Sequence, residues 1–341
     1  MSNQPPIEVP QGAIRLNTDS QRLEFFAQDR WYEMATENAS IGNIGFRVSG
    51  TGAGATLIES FNITTLGNSH DTGFDLSTSR GAFGCSASRT RAVICGGNAP
   101  GVSNSNDIQY FEMTSLSNTI DFGDLTYDAA EAGAHSNNVR LVVTGAASHA
   151  SNVINFLTVA STGSAQDFGD QANKLSSTTA CGSPTRGLFA GGAIPSIVNI
   201  IEFVTIASTG NSLDFGDLTV ARYSAGSGSN NTRGLFIMGN AGSPTNQVNT
   251  IDFVTISSTG NAQDFGDSNM NDTGGPTQGA GVAASPNRIV FFGGYITGGT
   301  DRTTEMEYVN PTTRGNSTRF GDLETAQNSD GNALSSSHGG L

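Results

Sequence analysis

An all-β fold, a six-bladed β-propeller of four-stranded blades preceded by a short N-terminal β-meander, is the architecture this sequence predicts, on three observations. Asp-Phe-Gly-Asp or a close variant recurs six times in 341 residues, with its phenylalanines at Phe74, Phe122, Phe168, Phe215, Phe265 and Phe320 and steps of 48, 46, 47, 50 and 55 residues between them. A fixed period in this range marks a repeat architecture. Each period holds short apolar runs separated by Gly, Ser, Thr and Asn, and no stretch sustains helical periodicity. The candidate strands leave one unmatched at each end of the array, as a ring closed by its last strand requires.

Residues 1–40 lie outside the period. The stretch from Gly12 to Met34 reads as three short strands with polar turns at 17–21 and 27–30. It holds the only tryptophan, Trp31, beside Tyr32 and close in sequence to Phe25, Phe26 and Arg15. So small a unit cannot bury enough apolar surface by itself, and it is expected to dock on the propeller or on another protein. Trp, Tyr and Arg are favoured interface anchors, which makes these five residues the docking candidates.

The clearest repeat runs from Ser224 to Asp267. Its first strand, a, spans Ser224–Ser229 and is built of Gly, Ala and Ser, as an inner strand crowded against the ring axis must be. Strand b spans Arg233–Gly239, strand c Thr250–Ile256, and strand d Gln263–Asp267, with a turn at 258–261 where Gly and Asn supply positive φ. Strand c carries an aromatic at one place in five repeats, Tyr110, Phe156, Phe203, Phe253 and Tyr308. Ile108, Ile154, Ile201, Ile251 and Met306 stand two residues earlier, and Phe111, Leu157, Val204, Val254 and Val309 one residue later. Both faces of strand c therefore read as apolar, as expected for a sheet packed between two others. The first repeat departs, with Ser60 at the aromatic place and Phe61 beside it.

Strand b starts are placed near Ile44, Arg91, Arg140, Arg186, Arg233 and Arg288, and strand a near Gly81, Ala130, Thr178, Ser224, Gly279 and Gly331. The first b has no a before it and the last a has no b after it. The C-terminal strand then completes the first blade, giving a ring over residues 41–341 without open sheet edges. The same topology sends loops a–b and c–d to one face and loops b–c and d–a to the other. The second set varies, over 98–107, 193–199, 240–249, 268–278 and 295–304. Variable loops on a rigid scaffold are where recognition usually lives. Tyr295, Arg302, Asn240, Thr245 and Met270 are the recognition candidates on that face.

The formal charge is −14 and the single lysine is Lys174. With no basic run, nucleic acid is not an expected partner. The first residues show no basic segment followed by an apolar one, so no signal peptide is expected, and no apolar run approaches the length of a membrane span. Cys85, Cys95 and Cys181 are too few and too scattered for a disulfide framework or a Cys-based zinc site; small buried residues are expected, with a Cys85–Cys95 bridge left open.

No cofactor, metal or catalytic residue is assigned. Asp-Phe-Gly holds magnesium in kinases, but the Gly-rich loop, the strand lysine and the His-Arg-Asp loop are missing. The motif is expected to be structural, with Phe buried between blades, Gly at an unusual φ and Asp bonding turn amides; calcium at the Asp pairs stays open as a lesser alternative. Asp71-Thr-Gly and Asp272-Thr-Gly resemble the halves of an aspartic-protease dyad, but they fall in different blades. A carboxylate pair for glycoside hydrolysis stays open among 30 acidic residues.

The stretch Gly-Ala-Ile-Arg-Leu-Asn-Thr-Asp-Ser from Gly12, with Leu-Glu-Phe-Phe from Leu23 and then Trp31, resembles a short module near the start of many tailed-phage fibre and other virion proteins. The repeat, with Thr-Arg-Gly-Leu-Phe from Thr232 and the run Ile251–Asp267, is similar to kelch-like propeller repeats in structural proteins of tailed marine phages of the cyanophage type. Together these cover nearly the whole chain. The resemblance implies a non-enzymatic virion protein, made in the host cytoplasm and present in many copies: a tail fibre, a tail accessory or a capsid appendage. It would dock to other virion proteins through residues 1–40 and display the propeller to a host-surface glycan or to neighbouring subunits. A phage surface-glycan hydrolase and a cellular kelch-like interaction module are the alternatives. Kelch-like propellers also include a copper oxidase, whose site would need clustered His with Tyr or Cys. His70, His135, His149 and His338 show no ligand spacing and are expected in turns or on the surface.

Overall fold

The computed structural model describes residues 10, 12–17, 22–27, 30–33, 43–48, 56–99, 101–145, 151–193, 195–242, 246–270, 277–294, 303–325 and 332–336. The chain divides into two compact units, Met1–Ser40 and Ile41–Leu341. In the first, Ile14–Asn17, Arg22–Ala27 and Arg30–Glu33 form an antiparallel meander, with Ile14 opposite Phe25 and Phe26 opposite Trp31.

The second unit is a six-bladed β-propeller in which every blade is a four-stranded antiparallel sheet. From the axis outward, blade 1 comprises Asn332–Ser335, Ile44–Val48, Leu57–Asn62 and His70–Asp75. Blade 2 comprises Gly84–Ala87, Arg91–Cys95, Ser105–Glu112 and Ile120–Ala129. Blade 3 comprises Gly133–Ser136, Arg140–Thr144, Val153–Thr158 and Gln166–Asp170. Blade 4 comprises Thr179–Gly182, Arg186–Ala190, Ile200–Thr205 and Leu213–Asp217. Blade 5 comprises Gly226–Ser229, Arg233–Ile237, Thr250–Thr255 and Gln263–Asp267. Blade 6 comprises Gly281–Ala284, Ile289–Phe292, Glu305–Val309 and Thr318–Asp322.

The strands lie where the repeat places them. The inner strands start one to three residues later than expected, because in blades 2 to 6 the chain first passes through a tight turn described below. The C-terminal strand is the inner strand of blade 1, with Asn332 opposite Val48 and Leu334 opposite Phe46. Each inner strand packs against the next, and that of blade 6 packs against that of blade 1, so the cycle is complete. The core lies between the blades. One cluster joins Phe46 and Phe74 of blade 1 to Ile94 and Phe111 of blade 2; another joins Phe203 and Phe215 of blade 4 to Phe236 and Val254 of blade 5. Burying each such side chain contributes about 1.5–3 kcal/mol.

The expectation of two apolar faces on strand c is corrected. Between the Ile (Met306 in blade 6) and the aromatic (Ser60 in blade 1) stands a polar residue in every blade: Glu59, Gln109, Asn155, Glu202, Asp252 and Glu307, each at most 2% exposed. It shares a face with Val204 or its equivalents yet lies in the core, so the sheet interface carries one polar contact per blade. Phe61, the displaced aromatic of blade 1, packs edge-on against Phe292 and Phe320 of blade 6 and fills the closing seam.

Candidate functional site

Three repeated devices hold neighbouring blades together, and together they occupy most of the recurring side chains. The first is built on the arginine that opens strand b. Arg91, Arg140, Arg186, Arg233 and Arg288 each lay the guanidinium over the strand c aromatic of their own blade, at 4.4–4.9 Å from the ring centroid. Each also donates from Nη1, at 2.9 Å, to the carbonyl of Val159, Ile206, Ile256, Pro311 or Ile63 in the next blade. Arg288 thus staples blade 6 to blade 1 across the closing seam. Blade 1 has Ile44 at this place, and Phe46 and Phe74 instead pack on Phe111 of blade 2.

The second device is the Asp-Phe-Gly-Asp motif. In blades 2 to 6 its Phe is the extra residue of a β-bulge, as where Asp167 faces Asn155 and Gly169 faces Ile154. A bulge re-aims a side chain, and here it turns the Phe edge-on to the strand c aromatic at 5.9 Å in blades 3 to 5. The Phe168 and Phe215 carbonyls accept the amides of Gly210 and Gly260, both at 2.7 Å, from the c–d turn of the next blade. Gly216 makes room: a Cβ there would stand 2.5 Å from the Gly260 carbonyl. The first Asp accepts its own Gly amide, and the Asn of the next turn accepts the amide of the second Asp, as with Asn211 and Asp170. The motif and the Ser-Thr-Gly-Asn turn are two halves of one lock, which bears out the structural reading of the repeat.

The third device is the buried polar residue of strand c, which sequence reasoning missed. The Glu202 carboxylate accepts the amides of Ala172 and Asn173, just beyond the outer strand of blade 3, and the hydroxyl of Ser212. Glu307 does the same with Asn269, Ser268 and Ser317, and Asp252 with Thr219. Asn155 accepts from Thr126, and Glu59 from Thr325. Each pins the chain as it leaves the preceding blade. Asp252 also pairs with Arg222 at 2.9 Å, both side chains fully buried, and Glu59 with Arg47 at 2.7 Å. Burial pushes both guanidinium groups below their usual range, and the acids oppose this. The visible signal was a polar residue at one fixed place in an apolar strand.

What remains for recognition is the b–c and d–a loop face. Its b–c loops in blades 2, 4 and 5 fold back through single bridges, Ala99–Val102, Ala193–Ile197 and Asn240–Gln247. Asn240 and Met270 are only 4% and 3% exposed. The Asn240 amide donates to Gln278 and its carbonyl accepts Gly242 N–H, while Met270 joins the core between blades 5 and 6. Both side chains therefore shape the loops from inside and offer a partner nothing to touch. Tyr295, Arg302 and Thr245 lie outside the described residues, as does Asp272.

In the meander, Arg15 is exposed, stacks over Trp31 at 4.1 Å and pairs with Glu24, and Phe26 meets Trp31 edge-on at 5.3 Å. Phe25 and Tyr32 sit in its strands, and their side chains lie outside the described set. His70 is exposed, whereas His135 is not at the surface: it lies buried in the inner strand of blade 3, with Nε2 3.1 Å from the Ser183 carbonyl. His149 and His338 lie outside the described residues. The three cysteines are free and buried, and burial pushes the thiols of Cys95 and Cys181 up to about 12. Among the described residues no group of three or more His, Cys, Asp or Glu is arranged to hold a metal ion, and no helix is long and apolar enough to cross a membrane. The chain matches no protein-family model and no curated protein.

Proposed function

We propose that this protein is a non-enzymatic adhesion and display module of a tailed-phage particle. The meander of residues 1–40 docks it to other virion proteins, and the propeller presents its b–c and d–a loops to a host-surface glycan. The reading is carried by the division of labour within the repeat. The recurring Arg, Asp-Phe-Gly-Asp and buried polar residues of strand c are engaged in joining blades, which leaves the non-repeating loops as the surface free to differ. A rigid ring with varied loops on one face suits an adhesion or interaction module. The resemblance of the repeat and of the first residues to virion proteins supports the narrower assignment.

The test is made on particles. Deleting residues 1–40 is expected to abolish incorporation while the propeller still folds; unchanged incorporation overturns the docking role. Replacing loop 295–304 by a short Gly-Ser turn is expected to abolish binding to host polysaccharide on a glycan array. Release of reducing ends from that polysaccharide by the native protein overturns the non-enzymatic reading.

A further inference from the structure

The axis of the ring carries a feature that the repeat does not make symmetric. On the b–c and d–a loop face the axial shaft opens into a cup of about 150 Å³. Beneath it lies a narrower chamber of about 60 Å³, walled by His135, Cys181 and Ser229 among others. Among the described residues, the rim is formed by the residue two before the inner strand. Ala82, Glu131, Ser177, Ser224 and Gly279 hold this place in blades 2 to 6, all with φ between 50° and 72°. The rim amides are joined blade to blade: Glu131 donates to the Ala82 carbonyl at 2.5 Å, Ser224 to Ser177 at 3.0 Å, and Gly279 to Ser224 at 2.7 Å. This tight turn is the one that delays the inner strands. Four non-glycine residues in the left-handed region cost about 1 kcal/mol or more each. Such strain persists only where the surroundings enforce it, and it gathers at binding sites.

The rim is chemically uneven. Among its described members Glu131 alone is charged, and its carboxylate accepts the hydroxyl of Ser177 across the blade boundary. Below the rim, Thr179 donates to Ser227 at 2.5 Å, and Ser227 to the Ala180 carbonyl at 2.9 Å. Thr178, also in the wall, is only 6% exposed, and its Oγ1 has no hydrogen-bond partner. Among the described residues no Lys, Arg or His lines the cup.

We propose that this cup binds the terminal neutral monosaccharide unit of a glycan, with Glu131 accepting hydrogen bonds from its hydroxyls. The inference rests on the adhesion reading of the loop face and names the ligand's chemistry. One water needs about 10–15 Å³ of such space, so the cup has room for roughly ten waters, or one pyranose ring in their place. The constriction below admits no second sugar, which selects a chain end. A carboxylate has about four acceptor positions, and a hydroxyl both donates and accepts, so the lining matches a ligand rich in hydroxyls. A sugar acid would set its charge against Glu131 with no cation in the wall to offset it.

The experiment titrates the full-length protein with methyl glycosides of galactose, glucose, N-acetylglucosamine and glucuronic acid, read by saturation-transfer NMR. At least one neutral glycoside is expected to bind, with the glucuronide weaker by about tenfold or more. Glu131→Gln should weaken that neutral glycoside about fivefold, and Glu131→Ala about tenfold, at unchanged melting temperature. Glu131→Gln keeps the shape of the rim and serves if the alanine variant does not fold. No binding by any neutral glycoside, a glucuronide bound as well as they are, or affinity indifferent to both variants overturns the proposal. If Glu131→Ala keeps host-glycan binding that loop replacement abolishes, the cup is wrong and loop adhesion stands. If a free glycoside enters the cup while no host glycan binds, the adhesion reading alone fails.

Discussion

At the scale of single residues, the repeated glycines divide by what surrounds them. Gly216 and Gly260 have nearly the same φ, +147° and +152°, but a Cβ at Gly216 would meet the next blade at 2.5 Å whereas one at Gly260 would meet nothing within 4 Å. Gly216→Ala is therefore expected to cost about 3 kcal/mol or more, adding a backbone clash to the strain, and Gly260→Ala about 1–2 kcal/mol from strain alone. Urea denaturation of the two variants measures the difference, and equal losses would remove the lock from the account. The strand c acid gives a second case. Glu202→Leu leaves two amides and a hydroxyl buried without their acceptor and is expected to destabilise by about 2–5 kcal/mol.

The buried thiols give a pH dependence with a definite sign. Cys95 and Cys181 are held protonated by burial up to about 12, above their ordinary value of 9.0. In the unfolded chain they ionise near that ordinary value, so the unfolded state gains stability there first. Their contribution is complete below pH 9 and is lost as pH rises from 9 towards 12. The midpoint of urea unfolding should fall over this window, and less in a Cys95→Ala, Cys181→Ala variant. Native protein should also react with a thiol reagent at pH 8 only on unfolding.

At the scale of elements, the four strands of a blade were legible because each carries its own chemical mark. Small residues mark the inner strand, an arginine opens the second, an aromatic flanked by aliphatics marks the third, and Asp-Phe-Gly-Asp marks the fourth. Less legible was what those marks do for each other. In the sequence the arginine marks a strand boundary, and only the packed blades show it reaching a carbonyl 66 residues on, as from Arg140 to Ile206. Arg186→Ala loses a stacked cation and a charge-assisted hydrogen bond, and is expected to cost about 1–3 kcal/mol, read as a lower melting temperature. The closing strand is the most exposed to a test. Truncation after residue 325 removes Asn332–Ser335 and leaves the Ile44–Val48 edge unpaired. Aggregation on size-exclusion chromatography is expected, and a monodisperse truncated ring would contradict closure by this strand.

At the scale of the whole propeller, closure decides how the ring behaves. Every described seam carries a staple, a lock or an aromatic cluster, and the inner strands form an unbroken cycle. No blade has a free outer neighbour from which unfolding can start, unlike an open solenoid. The propeller is expected to unfold in a single cooperative transition, with far-ultraviolet and near-ultraviolet circular dichroism coincident in urea. Separate transitions would mean that the blades act independently. The two faces also differ in kind. Turns a–b and c–d are repetitive and locked, while the cup opens on the opposite face, to which strand direction sends the b–c and d–a loops.

The sequence carries the repeat, its period, the blade count and closure by the last strand, because these follow from side-chain size and polarity at fixed spacing. It also located the varied face, which follows from strand direction alone. The packing of the blades is what turns Met270 and Asn240 inward, buries His135 in the inner strand and seats six polar residues in the interfaces between blades. It alone brought Glu131, Ser177 and Thr178 to one cup at the axis. Burial and proximity around a ring depend on which blades become neighbours. Residues nearly fifty apart in sequence, such as Glu131 and Ser177, meet because the period returns each blade to the same distance from the axis.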